Sequence, residues 1–357
     1  MRIAVDVMGG DHAPDAILKG CVAALDDLPK GDTLVLVGPR HVIQDYLDDR
    51  GIHLLKDGHP HVEIEHADEV IHMDESPAKA VRAKPESSIV KMARLGSEKA
   101  PKSGPGAHCE VVLSAGNTGA CVAAGIMHMR RLSHVHRPGI AVSMPAFKGP
   151  VVMIDCGANP EPKPVHLWQY AVMAAEVAKC TLGIQNPRIA QMNIGSEEAK
   201  GTDIVKQTRD LLKATPGLNY VGYVEGRDLF EGVADVIVTD GFVGNTMLKM
   251  AEGLAKSLFG ALAAEIINYD PHLMSQIEPV FRNIYKKNDY HEYGGAPLLG
   301  VNGAMFIAHG SSEAKTIKNA IRNCRNFVNS GVNDAIRKRL DEVGTLGGVL
   351  ANVGVDA

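Results

Sequence analysis

The chain of 357 residues has little of what several protein classes require. Aromatic residues make up 4% of it, with a single tryptophan, and no apolar run approaches the roughly 18 residues that cross a bilayer. The six cysteines form no C-x-x-C pair, which argues against a disulfide framework or a zinc site and favours a reducing compartment. The net charge of −5 does not indicate nucleic-acid binding.

Several catalytic signatures are also absent. The sequence contains neither a G-x-G-x-x-G dinucleotide fingerprint nor a G-x-S-x-G elbow. The pairs His59/His61 and His134/His136 have no carboxylate or thiolate at metal-binding spacing, so surface loops are the better interpretation. We therefore expect no cofactor and no metal. The N-terminus enters an apolar strand directly, which predicts a cytoplasmic protein without a secretory signal.

The chain does contain short β-branched runs that alternate with amphipathic helical patterns. This alternation predicts an α/β fold with a mostly parallel sheet, in which ligands bind beyond the carboxyl ends of the strands. The runs predicted as strands are 2–7, 33–37, 111–114, 140–143, 151–154, 189–193 and 235–239. We expect one catalytic domain over residues 1–344 and a mobile, glycine-rich tail over 345–357.

Most of these strands lead into turns rich in glycine, asparagine and serine. Residues 111–120, VVLSAGNTGA, predict a buried strand, a tight turn and a helix whose positive end can hold an anion. Each turn alone is equally well explained as a structural connection, but their repetition predicts a phosphate site. The candidate phosphate- or substrate-binding residues are Gly9, Gly10, Asp11, Lys84, Ser88, Ser114, Gly116, Thr118, Gly119, Asn159, Ser196, Glu197, Asp240, Gly241, His309 and Ser311.

A longer helical pattern runs from about residue 245 to 268 without proline. Its apolar stripe at spacing four consists of Leu254, Leu258, Leu262 and Ile266, with Phe259 beside it. A turn at Asp270-Pro271 leads to a second helical stretch, so residues 245–288 predict a protruding helical hairpin. Two interpretations of its apolar face remain open. One is core or dimer packing, and the other is docking on a membrane through Leu258, Phe259 and Leu262, or on a partner.

Ten segments, taken in order, resemble the acyl-carrier-protein:phosphate acyltransferases of bacterial phospholipid synthesis, the PlsX family. They are DVMGGD (6–11), MDESPAKAVRAKPESSI (73–89), SAGNTGA (114–120), RPGIA (137–141), DCGAN (155–159), NIGSEEAKGT (193–202), GYVEGRDLFEG (222–232), DGFVGN (240–245), YGGAPLLGV (293–301) and HGSS (309–312). The resemblance runs from Ile3 to about residue 340. The chain departs from the family pattern in three places: a longer loop at 97–108, Ile307, where family members usually carry a lysine, and the glycine-rich tail after Val343.

The resemblance implies a three-layer α/β/α sandwich, related to phosphotransacetylases and to isocitrate and isopropylmalate dehydrogenases, in a homodimer. It implies transfer of a long-chain acyl group from acyl carrier protein to inorganic phosphate. The acyl phosphate would pass to a membrane glycerol-3-phosphate acyltransferase, which implies peripheral association with the inner face of the cell membrane. Lys200 and Asn245 match positions that the family assigns to catalysis, and the hairpin matches a region credited with membrane association.

This chemistry also fits the residues themselves. Phosphate is already an anion at neutral pH, and a pantetheine thiolate leaves with a pKa near that of cysteine, about 8.5, so neither a strong base nor a strong acid is needed. Positioning and neutralisation of charge remain to be supplied. Lys200 can offset the accumulating charge, and Asn117, Asn159 or Asn245 can donate to the developing oxyanion. Taken together with the resemblance, this chemistry makes Lys200, Asn245 and Asn117 the catalytic candidates.

An acidic carrier protein predicts a basic docking patch. Arg282, Lys286 and Lys287 after the hairpin are the first candidates and Arg130 and Arg131 the second, with a solvated helix face as the competing interpretation. Two other functions stay open. One is a phosphotransacetylase that uses acyl-CoA, and the other is a non-enzymatic, membrane-associated scaffold for phospholipid enzymes.

Overall fold

The computed structural model describes residues 1–52, 61–270, 272–273, 276–280, 284 and 294–344, and the eleven strands among them form one sheet. The strands are β1 (Arg2–Asp6), β2 (Thr33–Gly38), β3 (His61–His66), β4 (Val111–Ser114), β5 (Gly139–Met144), β6 (Val151–Ile154), β7 (Ile189–Met192), β8 (Tyr220–Val224), β9 (Val236–Val238), β10 (Ala296–Leu299) and β11 (Ala304–Ile307). The helices are α1 (Asp15–Leu25), α2 (Arg40–Asp48), α3 (Pro77–Ala83), α4 (Ser88–Leu95), α5 (Thr118–Ala124), α6 (Pro164–Leu182), α7 (Asp203–Ala214), α8 (Gly241–Tyr269), α9 (Ala314–Asn329) and α10 (Val332–Gly344). A π-helical turn, Gly125–Met129, continues α5, and a 3-10 turn, Gly226–Asp228, follows β8.

The sheet consists of two parallel blocks that run in opposite directions. Its strand order is β3-β2-β1-β4-β11-β10-β5-β6-β9-β7-β8. The five strands from β3 to β11 are parallel to one another, and so are β6, β9, β7 and β8. Three antiparallel pairings, which involve β10 and β5, join the two blocks. The carboxyl ends of the two blocks therefore lie at opposite edges of the sheet.

Alternate residues of the strands enter two hydrophobic cores, one on each face of the sheet. Ile3 and Val5 face the first core, and Ala4 faces the second. The first core is covered by α1, α2, α6, α7, α9 and α10, and the second by α3, α4, α5 and the start of α8. This three-layer arrangement confirms the predicted α/β fold and its mostly parallel sheet.

Helix α6 illustrates how local sequence fixes an element of this core. Pro164 opens the helix, where its missing N–H needs no partner, and Gly183 ends it in the left-handed region at φ 71°. The indole N–H of Trp168 donates to Thr215 Oγ1 at 2.7 Å. Because α6 is buried around most of its circumference, it can pack against the sheet, α7 and α10 at once.

Helix α8 is different, since only two of its 29 residues are buried. The side chains of Leu254, Leu258 and Leu262 are 64%, 54% and 43% exposed. Packing into the core of the chain, one of the interpretations of this stripe, is therefore wrong for these three residues. The second arm of the predicted hairpin is described only at 272–273, 276–280 and 284, so the hairpin stays a prediction. No helix within the described ranges is long and apolar enough to cross a membrane.

Candidate active site

The Asp6 edge is the edge of the sheet where β1, β4 and β11 end, named after the last residue of β1. The Asp6 side chain is almost completely buried. Its carboxylate accepts hydrogen bonds from the Ser114 hydroxyl at 2.7 Å and from the Met8 N–H at 3.0 Å. Burial raises the pKa of Asp6, and these hydrogen bonds oppose the shift only in part.

The loops after β1 and β4 interlock at this edge. A Cβ atom at Gly9 would lie 2.6 Å from the backbone nitrogen of Gly116 and 2.9 Å from Ser114 Oγ, so only glycine fits there. The Gly116 N–H donates to Ser114 Oγ at 3.0 Å. The Asp11 N–H donates to the Gly310 carbonyl at 2.7 Å, which attaches the loop after β11. These donors are therefore already engaged within the chain.

Asn117 is the N-cap of α5, and its whole side-chain amide is hydrogen-bonded. The Oδ1 atom accepts from the Ala120 N–H at 3.0 Å. The Nδ2 atom donates to the carbonyls of His72, Met73 and Glu75 at 3.2, 3.1 and 3.2 Å. Because both amide hydrogens are committed, this geometry favours a structural role over donation to an oxyanion.

Three other predicted ligands at the Asp6 edge, Lys84, His309 and Ser311, also form contacts within the chain. Lys84 Nζ donates to Glu75 Oε1 at 2.6 Å, and this ion pair lowers the pKa of Glu75. Ser88 is buried. His309 Nδ1 and Ser311 Oγ lie 2.7 Å apart in a hydrogen bond within their own loop. An incoming phosphate would have to displace these contacts.

The Asp155 edge lies at the other end of the strands, where β6, β7, β8 and β9 finish. Asp155 follows β6 and is completely buried. Its Oδ1 accepts from the N–H groups of Ile140 and Ala158 at 2.9 and 3.1 Å, and its Oδ2 accepts from the Asn159 N–H at 2.6 Å. Burial raises the pKa of Asp155 to about 6, although the backbone donors oppose the shift. Sequence reasoning identified the DCGAN segment but missed this carboxylate as its centre.

The start of α8 packs directly against Asp155. A Cβ atom at Gly241 would lie 2.7 Å from Asp155 Oδ2, and one at Gly244 would lie 2.0 Å from the Asp155 carbonyl oxygen. Only glycine allows this approach at either position. The turn 155–159 therefore clamps the first turn of α8.

This clamp sets the position of Asn245. Asp240 caps α8 by accepting from the Val243 N–H at 2.8 Å. The Cβ position of Gly157 lies 3.7 Å from the Asn245 side chain. Asn245 thus lies beside the turn that Asp155 holds, and it is partly exposed.

Asn159 stabilises the same turn from the other side. Its Nδ2 donates to the Pro138 carbonyl and to the Tyr170 hydroxyl, both at 2.6 Å. Tyr170 is itself buried, and burial raises its pKa. The amide hydrogens of Asn159, like those of Asn117, are therefore committed to groups of the chain.

Lys200 lies in the loop after β7, the strand next to β9. Its Nζ pairs with Glu197 at 2.9 Å, and 49% of the lysine side chain is exposed. Asn193, which sequence reasoning missed, closes the loop by donating from Nδ2 to the carbonyls of Gly195 and Lys200 at 3.0 and 3.3 Å. An exposed ion pair of this kind stabilises little, so an incoming anion can compete with Glu197 for the ammonium.

Two large apolar side chains protrude beside these polar groups. Ile194, in the same loop as Lys200, is 80% exposed, and Phe242, in the first turn of α8, is 68% exposed. The Asp155 edge therefore presents an accessible cation, an amide and apolar surface together.

The structure divides the predicted site residues between the two edges. On the Asp6 side lie Gly9, Gly10, Asp11, Lys84, Ser88, Ser114, Gly116, Asn117, Thr118, Gly119, His309 and Ser311. On the Asp155 side lie Asn159, Ser196, Glu197, Lys200, Asp240, Gly241 and Asn245. The helix starts at 116–119 and 241–245, both expected to hold phosphate, are thus at opposite ends of the strands within one chain.

Some sequence predictions fall outside the described residues. These are Arg282, Lys286, Lys287 and the tail 345–357. Arg130 and Arg131 are described and exposed. Within the described ranges, no group of three histidine, cysteine, aspartate or glutamate side chains could hold a metal ion.

Comparison of the sequence with known proteins gives a consistent family. The family model described as fatty acid synthesis protein matches residues 1–335. The chain is 42% identical over 346 residues to a phosphate acyltransferase of Dictyoglomus turgidum, which covers 96% of this chain and 98% of that protein. It is 43% identical over 342 residues to a phosphate acyltransferase of Heliobacterium modesticaldum, which covers 95% and 98%.

Solved structures share the fold. A phosphotransacetylase from Streptococcus pyogenes aligns with a TM-score of 0.56 at 17% identity, over 92% of this chain and 94% of that one. A branched-chain phosphotransacylase from Enterococcus faecalis aligns with a TM-score of 0.53 at 13% identity, over 92% and 99%. At these identities the likeness concerns the fold alone, and it confirms the α/β fold with a mostly parallel sheet.

Proposed function

The chain belongs to the phosphate acyltransferase family, and from this premise we propose that it transfers a long-chain acyl group from acyl carrier protein to inorganic phosphate. The product is an acyl phosphate, which a membrane glycerol-3-phosphate acyltransferase consumes. The observation that carries the proposal is the Asp155 edge, where the accessible Lys200 ammonium and Asn245 lie beside exposed apolar side chains.

In the proposed reaction, a phosphate oxygen attacks the thioester carbonyl carbon. A C–O bond forms, the C–S bond breaks, and the pantetheine thiolate leaves and takes a proton from water. Lys200 exchanges Glu197 for the phosphate and reduces the repulsion between the dianion and the growing oxyanion. The Asn245 amide donates to that oxyanion. Preorganised donors of this kind contribute roughly 10²–10³ each to the rate.

Apolar surface at the same edge supports a long acyl chain as the substrate. Ile194 lies in the same loop as Lys200, and Phe242 lies one helical turn before Asn245 in α8; each exposes most of its side chain to solvent. An acyl chain that lies against them removes apolar surface from water on both partners, at about 25 cal/mol for each Å² buried. A short acyl group would gain little from this surface.

The test is thiol release from palmitoyl-acyl carrier protein, with and without inorganic phosphate, beside the same assay with palmitoyl-CoA. We expect phosphate-dependent release from the carrier protein and much slower release from coenzyme A. Release from coenzyme A alone would make the protein a phosphotransacetylase in activity as well as in fold. No release from either, with retained membrane binding, would leave the scaffold interpretation.

The proposed membrane contact is the exposed stripe of Leu254, Leu258 and Leu262 on α8, with Phe259 beside it, and the proposed location is the inner face of the cell membrane. We expect Leu258→Glu and Leu262→Glu to reduce sedimentation with liposomes. Ala264→Glu is the matched control, because residue 264 is exposed on another side of the same helix. If the leucine variants instead convert a homodimer to monomers, the stripe is a dimer contact.

A further inference from the structure

A groove of about 530 Å³ lies between α4, residues 97–106 and the π-helical turn. Its charged lining residues are Glu65, Glu86, Lys91, Arg94, Lys99 and Arg130. Four cations face two carboxylates, which leaves this groove positive in a chain whose net charge is −5. An anionic partner would therefore be attracted to this part of the surface.

The cations of the groove differ in how far they are neutralised. Lys91 and Arg94 share Glu86, at 2.8 and 3.4 Å. Lys99 and Arg130 form no ion pair with any residue in the described ranges. Burial, together with the nearby charge of Arg94, lowers the pKa of His128, so this imidazole adds no positive charge at neutral pH. Lys99 and Arg130 are thus the cations of the groove that can pair with the carboxylates of a partner without first leaving Glu86.

Arg130 has a backbone conformation that is unusual for a residue other than glycine. The residue has φ 68° and ψ 174°, a region that belongs almost entirely to glycine. Its N–H donates to the Gly125 carbonyl at 3.0 Å, and its own carbonyl accepts from the Asn302 N–H at 2.9 Å. Glycine would suit this position better, since it adopts such angles without strain. A guanidinium that binds a partner would account for an arginine at a position that suits glycine.

The end of the groove that contains residues 97–106 and Arg130 lies toward the Asp155 edge, where β4 and β5 begin. Arg130 precedes β5, and the segment from Arg130 to Pro138 leads to the Asp155 edge. There the Pro138 carbonyl accepts from Asn159 Nδ2, within the turn that holds Asn245. A partner bound to Lys99 and Arg130 therefore lies toward the same edge of the sheet as Lys200 and Asn245.

We propose that this groove is the docking site of the acidic carrier protein, whose carboxylates pair with Lys99 and Arg130. The assignment rests on the proposed function, because that function supplies an acidic protein as the substrate carrier. It replaces residues 282–287 as the first candidate for docking. Complementary charge of this kind acts mainly on the rate of association and depends on salt.

The first test is a double variant, Lys99→Glu with Arg130→Glu. We expect the KM for palmitoyl-acyl carrier protein to rise by about tenfold or more at low salt, with kcat and the KM for phosphate unchanged. The difference should shrink as salt screens the charges. Lys148→Glu, an exposed lysine in the loop between β5 and β6 at the other edge, is the matched control and should leave the KM unchanged.

A second variant separates docking from folding. Arg130→Gly removes the charge and relieves the strained backbone, so we expect a higher melting temperature together with a higher KM for the carrier protein. Arg130→Lys, which keeps the charge, should keep most of the affinity. A variant that folds better but binds worse cannot be explained by a structural role of the arginine.

Direct binding of carrier protein, measured without turnover, distinguishes this proposal from the proposed function. If the chain binds carrier protein through the groove but releases no thiol, docking stands and the acyltransferase activity fails. The docking assignment is overturned if wild type and the double variant bind equally, or if wild type does not bind. A rise in the KM for phosphate alone, or an effect of charge reversal at 282–287 alone, would overturn it as well.

Discussion

The Asp6 edge and the Asp155 edge use the same parts. Each has a buried aspartate at the end of a strand, a glycine in close contact with it, and a helix capped by a side chain, Asn117 in one and Asp240 in the other. At the Asp6 edge, the Asp6 carboxylate, the Asn117 amide and the Lys84 ammonium are all bonded within the chain. At the Asp155 edge, a half-exposed Lys200 and protruding apolar side chains remain available. Similar turns can thus either stabilise the fold through internal hydrogen bonds or form an accessible site.

The largest expected contrast between the edges is in turnover. We expect Lys200→Ala and Asn245→Ala each to lower kcat by roughly 10²–10³ while the melting temperature changes little. Asn117→Ala should instead lower the melting temperature, with kcat per folded molecule nearly kept. If Asn117→Ala gave the greatest loss of turnover in a fully folded protein, the reacting centre would belong at the Asp6 edge.

The second largest difference between the two edges is expected when each buried aspartate is replaced by asparagine. In Asp155→Asn, the new NH₂ group faces a backbone N–H of the turn, so we expect a loss of up to about 3 kcal/mol and a slower reaction beside Asn245. In Asp6→Asn, the amide oxygen can keep the Met8 N–H, while the NH₂ group faces the Ser114 hydroxyl, which can rotate and accept. That variant should cost under about 1 kcal/mol. Urea unfolding measures the stability of each variant, and kcat measures its turnover. Equal losses of stability in the two variants would contradict the expected difference between the edges.

The pH dependence of stability should depend on Asp155. Its pKa is about 6 in the folded protein, against 3.8 as its ordinary value, so the folded state binds the proton more tightly than the unfolded state. The contribution of Asp155 to the free energy of unfolding therefore falls as pH rises from about 4 to 6, by about 1.4 kcal/mol for each pH unit. Above about pH 6 this contribution is constant.

Comparison with Asp155→Asn isolates this contribution from that of the other carboxylates. We expect the stability difference, wild type minus variant, to shrink from pH 4.5 to 6.5 in urea unfolding. A difference that stays constant with pH would mean that Asp155 titrates normally.

The smallest contrast concerns the helix caps. Asp240→Ala removes one hydrogen bond to the Val243 N–H, and a loss of about 1 kcal/mol is expected. Asn117→Ala removes the cap of α5 and three bonds to the 72–75 segment, so its loss should be larger. Thermal melts of the two variants test the order, and the reverse order would show that the amide contributes less than its contacts suggest.

The sequence predicts the fold well where residue pattern and burial agree. The runs at 111–114 and 151–154 are strands with the predicted bounds, because each is apolar and buried on both faces. The pattern misses four strands. Two are at the edges of the sheet: β3, whose sequence HVEIEH includes charged residues, and β8, YVGYV. The other two are the four-residue strands β10, APLL, which contains a proline, and β11, AMFI. Short or charged strands form through tertiary pairing, which a local pattern does not contain.

The candidate site was predictable in its segments but not in its arrangement. The sequence indicates which turns carry glycine and asparagine, but the reversal of direction through β10 and β5 depends on non-local pairing. The split of the predicted ligands between two edges therefore needed the structure. The central roles of Asp6 and Asp155 were missed because aspartate is usually exposed, and nothing local indicates that these two are buried.

Helix α8 is long and is held at its first turn, so a tilt moves its two ends by very different distances. Its 29 residues span about 44 Å, and the clamp around Asp155 holds it at one end, with Asn245 only one turn from that pivot. A tilt of about 5° would move the far end by about 4 Å but Asn245 by only about 0.5 Å. A tilt of the helix thus displaces the Asn245 amide nearly an order of magnitude less than it displaces the far end. The far end can follow a fluctuating surface while the amide keeps its alignment.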